Sequence, residues 1–185
     1  MDRPILFSAP MVRAILAGTK TQTRRVCKPA EAQGMTYVVN CMDGTWRNEE
    51  GDMPSFRCPH GVPGDRLWVR ESHWWFKDEP ASIHMPRWAS RITLEVTGVR
   101  VERLQDISEA DAIAEGIEQM PCEVPDTKLW RNYTPDNGWT PRVAMPQNSY
   151  RSLWESINGQ GSWDANPWVW VVEFRRAAAE LGRRG

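Results

Sequence analysis

Apolar positions in this chain recur in short, well-separated patterns. Ile5-Leu6-Phe7 is a compact apolar run and predicts a strand. Ser8 then stands as a helix cap with Pro10 in the first turn. Met11, Val12, Ile15 and Leu16 follow at helical spacing, and Gly18 ends the helix. Residues 21–26 alternate and predict a strand. Residues 65–71 do the same, with Leu67 and Val69 on one face and Trp68 and Arg70 on the other. Residues 91–104 form a longer alternating run, with a bend expected at Gly98. Residues 108–116 predict a second helix, capped by Ser108, acidic in its first turn and stopped by Gly116. A third helix is expected from a cap at Asn148, because Tyr150, Leu153, Trp154 and Ile157 fall at i, i+3, i+4 and i+7. A last strand covers residues 168–174.

Between these elements lie two irregular stretches rich in Gly and Pro. Residues 28–64 predict a long loop, with a hairpin around Asp43-Gly44. Residues 119–147 predict a second loop-like insertion. Several strands and three short helices without a βαβ repeat indicate an α+β fold with a mostly antiparallel sheet. The long bent strand favours closure into a small curved barrel. The expected organisation is one domain over residues 1–176, with insertions at 28–64 and 119–147 and a tail at 177–185.

No apolar run reaches membrane-spanning length, and the first residues lack the layout of a signal peptide, so a cytoplasmic protein is expected. In such a compartment Cys27, Cys41, Cys58 and Cys122 are expected as thiols or metal ligands. Cys41, Cys58 and His60, with Cys27, make a weak alternative zinc set; otherwise no metal or cofactor is implied. The net charge of −1 argues against a general nucleic-acid coat. The charge is uneven, however. Residues 3–28 carry Arg3, Arg13, Lys20, Arg24, Arg25 and Lys28 and no acid, whereas residues 102–126 are strongly acidic. That division suits either a small site of both signs or two solvated surfaces. The chain has 11 tryptophans, of two kinds. Trp168 and Trp170 share a strand face as packing residues, while Trp74, Trp75 and Trp88 lie in irregular sequence where they either cap the core or stack on bases.

The stretch Ile15-Leu16-Ala17-Gly18-Thr19-Lys20-Thr21-Gln22-Thr23-Arg24 resembles the signature of ASCH domains, a branch of the PUA-like barrels. The run Gly64-Asp65-Arg66-Leu67-Trp68-Val69-Arg70-Glu71, the helix after the long strand, and the closing Asn166-Pro167-Trp168-Val169-Trp170-Val171-Val172-Glu173-Phe174 agree with it in order. The layout is similar to longer, phage-associated ASCH proteins. The resemblance implies a curved β-barrel with a cleft beside the Gly-x-Lys segment, and a link to RNA and nucleoside chemistry. One bacterial branch hydrolyses N4-acetylcytidine with a lysine, a threonine and a glutamate. By motif these correspond to Lys20, Thr23 and Glu115, with Glu109, Asp111 and Glu118 near the last. The implied partner is a small nucleoside, with RNA as the alternative and no membrane; the alternatives to hydrolysis are a non-catalytic RNA- or nucleotide-binding module and a ribonuclease.

In such chemistry Thr23 would be the nucleophile and Lys20 its base, provided burial or a neighbouring cation lowers the lysine pKa. Residues 20 and 23 of a regular strand face opposite sides, so convergence requires the turn after Gly18 to continue through Lys20. Glu115 would orient Lys20 or shuttle a proton. Arg24, Arg25, Arg70, Glu71, Trp74 and Trp88 complete the expected substrate-binding set, with an internal salt bridge as the alternative role of Arg70 and Glu71.

Overall fold

The computed structural model describes residues 1–28, 38–41, 45–48, 55–71, 82–134 and 141–177. Strand β1 (Asp2–Leu6) leads into helix α1 (Ala9–Leu16) and strand β2 (Gln22–Val26). Strands β3 (Val38–Asn40) and β4 (Trp46–Asn48) follow and pair antiparallel, Asn40 to Trp46; Asp43 and Gly44, where the turn is expected, lie outside the described residues. Then come β5 (Arg66–Arg70), the 11-residue β6 (Thr93–Arg103) and helix α2 (Glu109–Ala114). Short strands β7 (Gln119–Met120), β8 (Leu129–Arg131) and β9 (Arg142–Val143) precede helix α3 (Pro146–Asn158) and strand β10 (Trp168–Arg176). No helix of the described residues is long and apolar enough to cross a membrane.

The main sheet runs β1-β5-β6-β10-β2, with β1 parallel to β5 and every other pairing antiparallel. The expected α+β class is therefore present, with three α-helices among the described residues. The barrel is not closed by a ladder, since β1 and β2 remain its two edges. Side chains span the seam instead: Arg25 Nη2 donates to the Leu6 carbonyl at 2.7 Å. The bend at Gly98 is a bulge, because the β6–β10 register jumps from Gly98↔Glu173 to Val96↔Phe174 and leaves Thr97 without an opposite residue.

Each face of the sheet carries a core. Trp170, Val172 and Phe174 of β10 pack with Phe7, Ile15, Leu67 and Leu94 on one side. Val169 and Val171 pack with Leu104, Trp130, Tyr150 and Trp154 on the other. Strand β10 lies between β6 and β2 and buries both faces, which explains its almost continuous apolar sequence.

Two sequence expectations need correction. Residues 119–147 are not only loop: β7, β8 and β9 form a three-stranded antiparallel sheet, with Trp130 in the same core as α3. Helix α3 begins at Pro146, capped at Met145 rather than Asn148. Proline has no N–H to leave unbonded in the first turn, so the helix starts where proline is best tolerated.

Candidate active site

The site is built where α1 ends. Gly18 has φ +78°, which ends the helix in a left-handed turn. The amides of Thr19 and Lys20 close the helix end by donating to the Ala14 carbonyl, at 2.9 and 3.2 Å. Lys20 then makes a single antiparallel bridge to Glu115, and Thr21 N–H donates to the Ala114 carbonyl at 2.8 Å. The regular strand begins at Gln22. Gly116 allows this approach. It has φ +81°, and a Cβ there would stand 2.7 Å from the Lys20 Cβ.

Glu115 is the hub. Its Oε2 accepts from Lys20 Nζ at 2.9 Å and its Oε1 from Arg24 Nη1 at 3.1 Å. Lys20 Nζ also donates to the Glu115 carbonyl at 2.8 Å. All three residues are buried, with the Arg24 side chain 0% exposed. Burial is the largest influence on Lys20 and pulls its pKa below the ordinary lysine value; Glu115 opposes this, and the Arg25 and Arg24 charges add to it. Burial also disfavours the charged form of Arg24, but Glu115, Tyr150 and Glu102 outweigh it and raise its pKa.

The network extends outward. Arg24 Nη2 lies 2.5 Å from Glu102 and 3.5 Å from Asp111. Arg100 bonds Glu102 at 2.9 Å and Asp111 at 3.0 Å, and also pairs with Glu173. The basic segment of the sequence thus meets the acidic one inside a single network.

Register assigns the β2 side chains to faces. Thr23 stands opposite Val172 and Arg25 opposite Trp170, toward the first core; Arg24 stands opposite Val171, toward α3. Lys20 Nζ lies 5.8 Å from the Phe7 ring centroid and Arg25 lies 5.3 Å from the same centroid, so both cations border the Thr23 face. A cavity of about 70 Å³ opens at this edge. Met11 of α1, Thr23, Arg24, Arg25 and Val26 of β2, and Glu115 line it on one side; Tyr150, Leu153, Trp154, Ile157 and Asn158 of α3 line the other. Lys20 stands behind Glu115 rather than in the wall.

No family model matches this sequence, and no curated protein matches it. Solved structures with a similar course of chain include an ASCH domain from Lactobacillus crispatus JV V101, 13% identical, covering 95% of this chain and 79% of that one, with a TM-score of 0.45. The hypothetical protein PH0355 is 11% identical over 96% of this chain and 100% of its own, with a TM-score of 0.44. Protein EF3133 from Enterococcus faecalis V583 is 10% identical over 96% of this chain and 76% of its own, with a TM-score of 0.45.

Of the other expected binding residues, Arg70, Glu71 and Trp88 do not line the cavity. Glu71 is held by Arg91 through two bonds of 2.8 and 2.9 Å. Arg70 stacks 4.7 Å from the Trp68 ring centroid. Trp88 is 76% exposed on a 3₁₀ turn (Arg87–Ala89) whose Arg87 pairs with Asp2 of β1. Trp74 lies outside the described residues. Among the described residues no three His, Cys, Asp or Glu side chains gather to hold a metal ion, so Cys41, Cys58 and His60 do not form the zinc set considered from sequence. Burial, then the Arg25 and Arg3 charges, press the His60 pKa down to about 4.

Three members of the site escaped the sequence reading. Tyr150 looked like one more apolar position of a helix stripe, yet it lines the cavity, with Arg24 5.8 Å from its ring centroid. Burial, and then the Glu115 charge, push its phenol well above the usual tyrosine value. Glu102 and Arg100 were visible as polar positions alternating with Val99 and Val101, a signal of a strand face that carries charge.

Proposed function

We propose that this chain is an ASCH-type hydrolase that cleaves the exocyclic amide of an N4-acylated cytidine. The observation that carries the reading is a buried lysine with a lowered pKa, standing behind a cavity-lining glutamate that it shares with a buried arginine. A lysine is a useful base only when its neutral form is accessible. A tight pair with Glu115 alone would work against that. Here Arg24 shares the Glu115 charge, and desolvation prevails at Lys20.

In this mechanism Thr23 Oγ1 attacks the acyl carbonyl carbon, and its proton is taken by neutral Lys20. Arg25, on the same strand face, stabilises the oxyanion. Collapse of the tetrahedral intermediate expels the cytosine amine, which receives the proton held by Lys20. Water then cleaves the threonyl ester and releases the acid. Glu115 fixes the lysine through Oε2 and a carbonyl bond and is a positioning group. The mixed charge and limited volume of the cavity suit an amide and ring edge better than a nucleic-acid strand, which needs a basic groove.

The test is release of cytidine from N4-acetylcytidine, followed by chromatography. Turnover is expected for the native chain, with a loss of about 10²-fold or more in Lys20→Ala and Thr23→Ala, the usual scale for an acid–base or nucleophilic group. Turnover that survives Thr23→Ala would remove the covalent route. No release at millimolar substrate would remove the hydrolase reading for this nucleoside.

A further inference from the structure

The cavity beside β2 is lined by four consecutive residues of that strand, Thr23, Arg24, Arg25 and Val26. Their side chains alternate between the two faces of the sheet, so a space that touches all four lies at the strand's edge and not over either face. The rest of the lining agrees. Met11 of α1 packs with the first core and Leu153 of α3 with the second, and both reach this cavity. The cavity is therefore a slot in the plane of the sheet, where a next strand would pair, with apolar side chains above and below it.

Register decides what the strand offers there. Cys27 N–H donates to the Trp168 carbonyl at 2.9 Å, and Phe174 N–H donates to the Thr21 carbonyl at 2.8 Å. Bonded residues alternate along an antiparallel pair, so Thr23 and Arg25 bond β10 while the N–H and C=O of Arg24 and Val26 point away from it. Among the described residues none bonds the Arg24 backbone. The Arg24 side chain is 0% exposed, yet the residue as a whole is 2% exposed, so the surface it keeps is backbone. The start of the edge is already taken, since Thr21 N–H donates to the Ala114 carbonyl at 2.8 Å.

We infer that this slot reads the pyrimidine ring by its edge: Arg24 N–H donates to ring N3, and the Arg24 carbonyl accepts from N4–H, with the acyl group turned to the C5 side. An extended residue presents one donor and one acceptor side by side, and cytosine carries the complementary pair, N3 beside N4–H, on a single edge. A ring bonded in this way lies in the plane of the sheet. Its faces then meet Met11 on one side and Leu153 and Ile157 on the other, all three of which line the slot. A volume of about 70 Å³ takes the edge of one ring, and the exposed Val26 and Ile157 mark a mouth at which the ribose stays in solvent. A peptide strand also pairs with such an edge, but it needs a longer run of open backbone than this slot holds. The inference deepens the hydrolase reading and rests on it for the choice of cytosine. It makes Arg24 a substrate-binding residue through its main chain, while its side chain stays within the ion-pair network.

Cytidine, the product of the proposed reaction, titrated into the nitrogen-15-labelled full chain provides the test. The assigned Arg24 amide resonance is expected to move saturably, and the Thr23 and Arg25 amides, already bonded to β10, are expected to move much less. Two analogues remove one partner each. N4,N4-dimethylcytidine lacks the N4–H, and 3-deazacytidine lacks the N3 acceptor without adding bulk. Each is expected to bind about fivefold more weakly or worse, one hydrogen bond's worth. An Arg24 amide that stays in place at millimolar cytidine would overturn the inference, and so would 3-deazacytidine binding as tightly as cytidine. Cytidine release from the acylated substrate with no response at Arg24 would sink this inference and leave the hydrolase reading intact. A saturable Arg24 shift without any turnover would support the slot and count against hydrolysis.

Discussion

Lys20 is where the energetic tension of the site is concentrated. Its amine is buried beside Glu115, with Arg24 and Arg25 as neighbouring cations. Burial lowers its folded pKa below the ordinary value of 10.5. The unfolded chain therefore keeps this proton to higher pH than the folded chain. Between the lowered pKa and 10.5 the unfolded state binds more protons, so stability must rise with pH in that window. The limit for one proton is about 1.4 kcal/mol per pH unit. Lys20→Met removes the titration and leaves Arg24 on Glu115, so the rise it contributes is expected to vanish. Urea unfolding of both proteins from pH 7 to 9.5 checks this, below the range where unfolded tyrosines ionise while Tyr150 resists. Parallel profiles would show that Lys20 keeps its ordinary pKa.

Elements were legible in the sequence where the signal is local. Helix α1 and strands β2, β5, β6 and β10 follow from spacing, caps and alternation, and their observed bounds differ from expectation by a few residues at most. The sheet of β7, β8 and β9 was not legible, because strands of two or three residues carry no period and exist through pairing with distant partners. The site was legible in part. The opposite charges of residues 3–28 and 102–126 left a mixed-sign site and two solvated surfaces equally open, and the motif pointed to Lys20 and Glu115. Their meeting across 95 positions depends on tertiary structure. Helix α2 makes that meeting possible, since Glu115 is the residue immediately after it. Ser108 caps the helix: its Oγ accepts from Asp111 N–H at 3.1 Å and donates to Asp111 Oδ2 at 2.9 Å. Loss of this cap by Ser108→Ala is expected to cost about 1 kcal/mol, with Ser108→Asp largely sparing it. Urea midpoints measure the cost. Equal stability of Ser108→Ala and the native chain would mean that the remaining contacts of α2 hold it without its cap.

At the scale of the molecule, the sheet is curled but not hydrogen-bonded into a closed barrel, and the proposed active site lies on its unpaired β2 edge. An open edge leaves backbone donors and acceptors available to other chains, and proteins usually cover or close it. Here Arg25 crosses the seam to the Leu6 carbonyl and lays its guanidinium over Phe7. Burial lowers the Arg25 pKa, with Glu115 opposing. The same side chain lines the cavity, so closure of the seam and shape of the site share one residue. Arg25→Met keeps an apolar stem near Phe7 and deletes the donor. Its expected effect is regional: about 1 kcal/mol less protection, or roughly fivefold faster exchange, at the Phe7 amide that binds the Arg70 carbonyl at 3.0 Å. Amides of β10, paired on both sides by β6 and β2, are expected to keep their native rates. Hydrogen exchange of the two proteins separates these cases. Faster exchange throughout the sheet would make Arg25 a global stabiliser, and an unchanged Phe7 amide would mean that the seam holds without it.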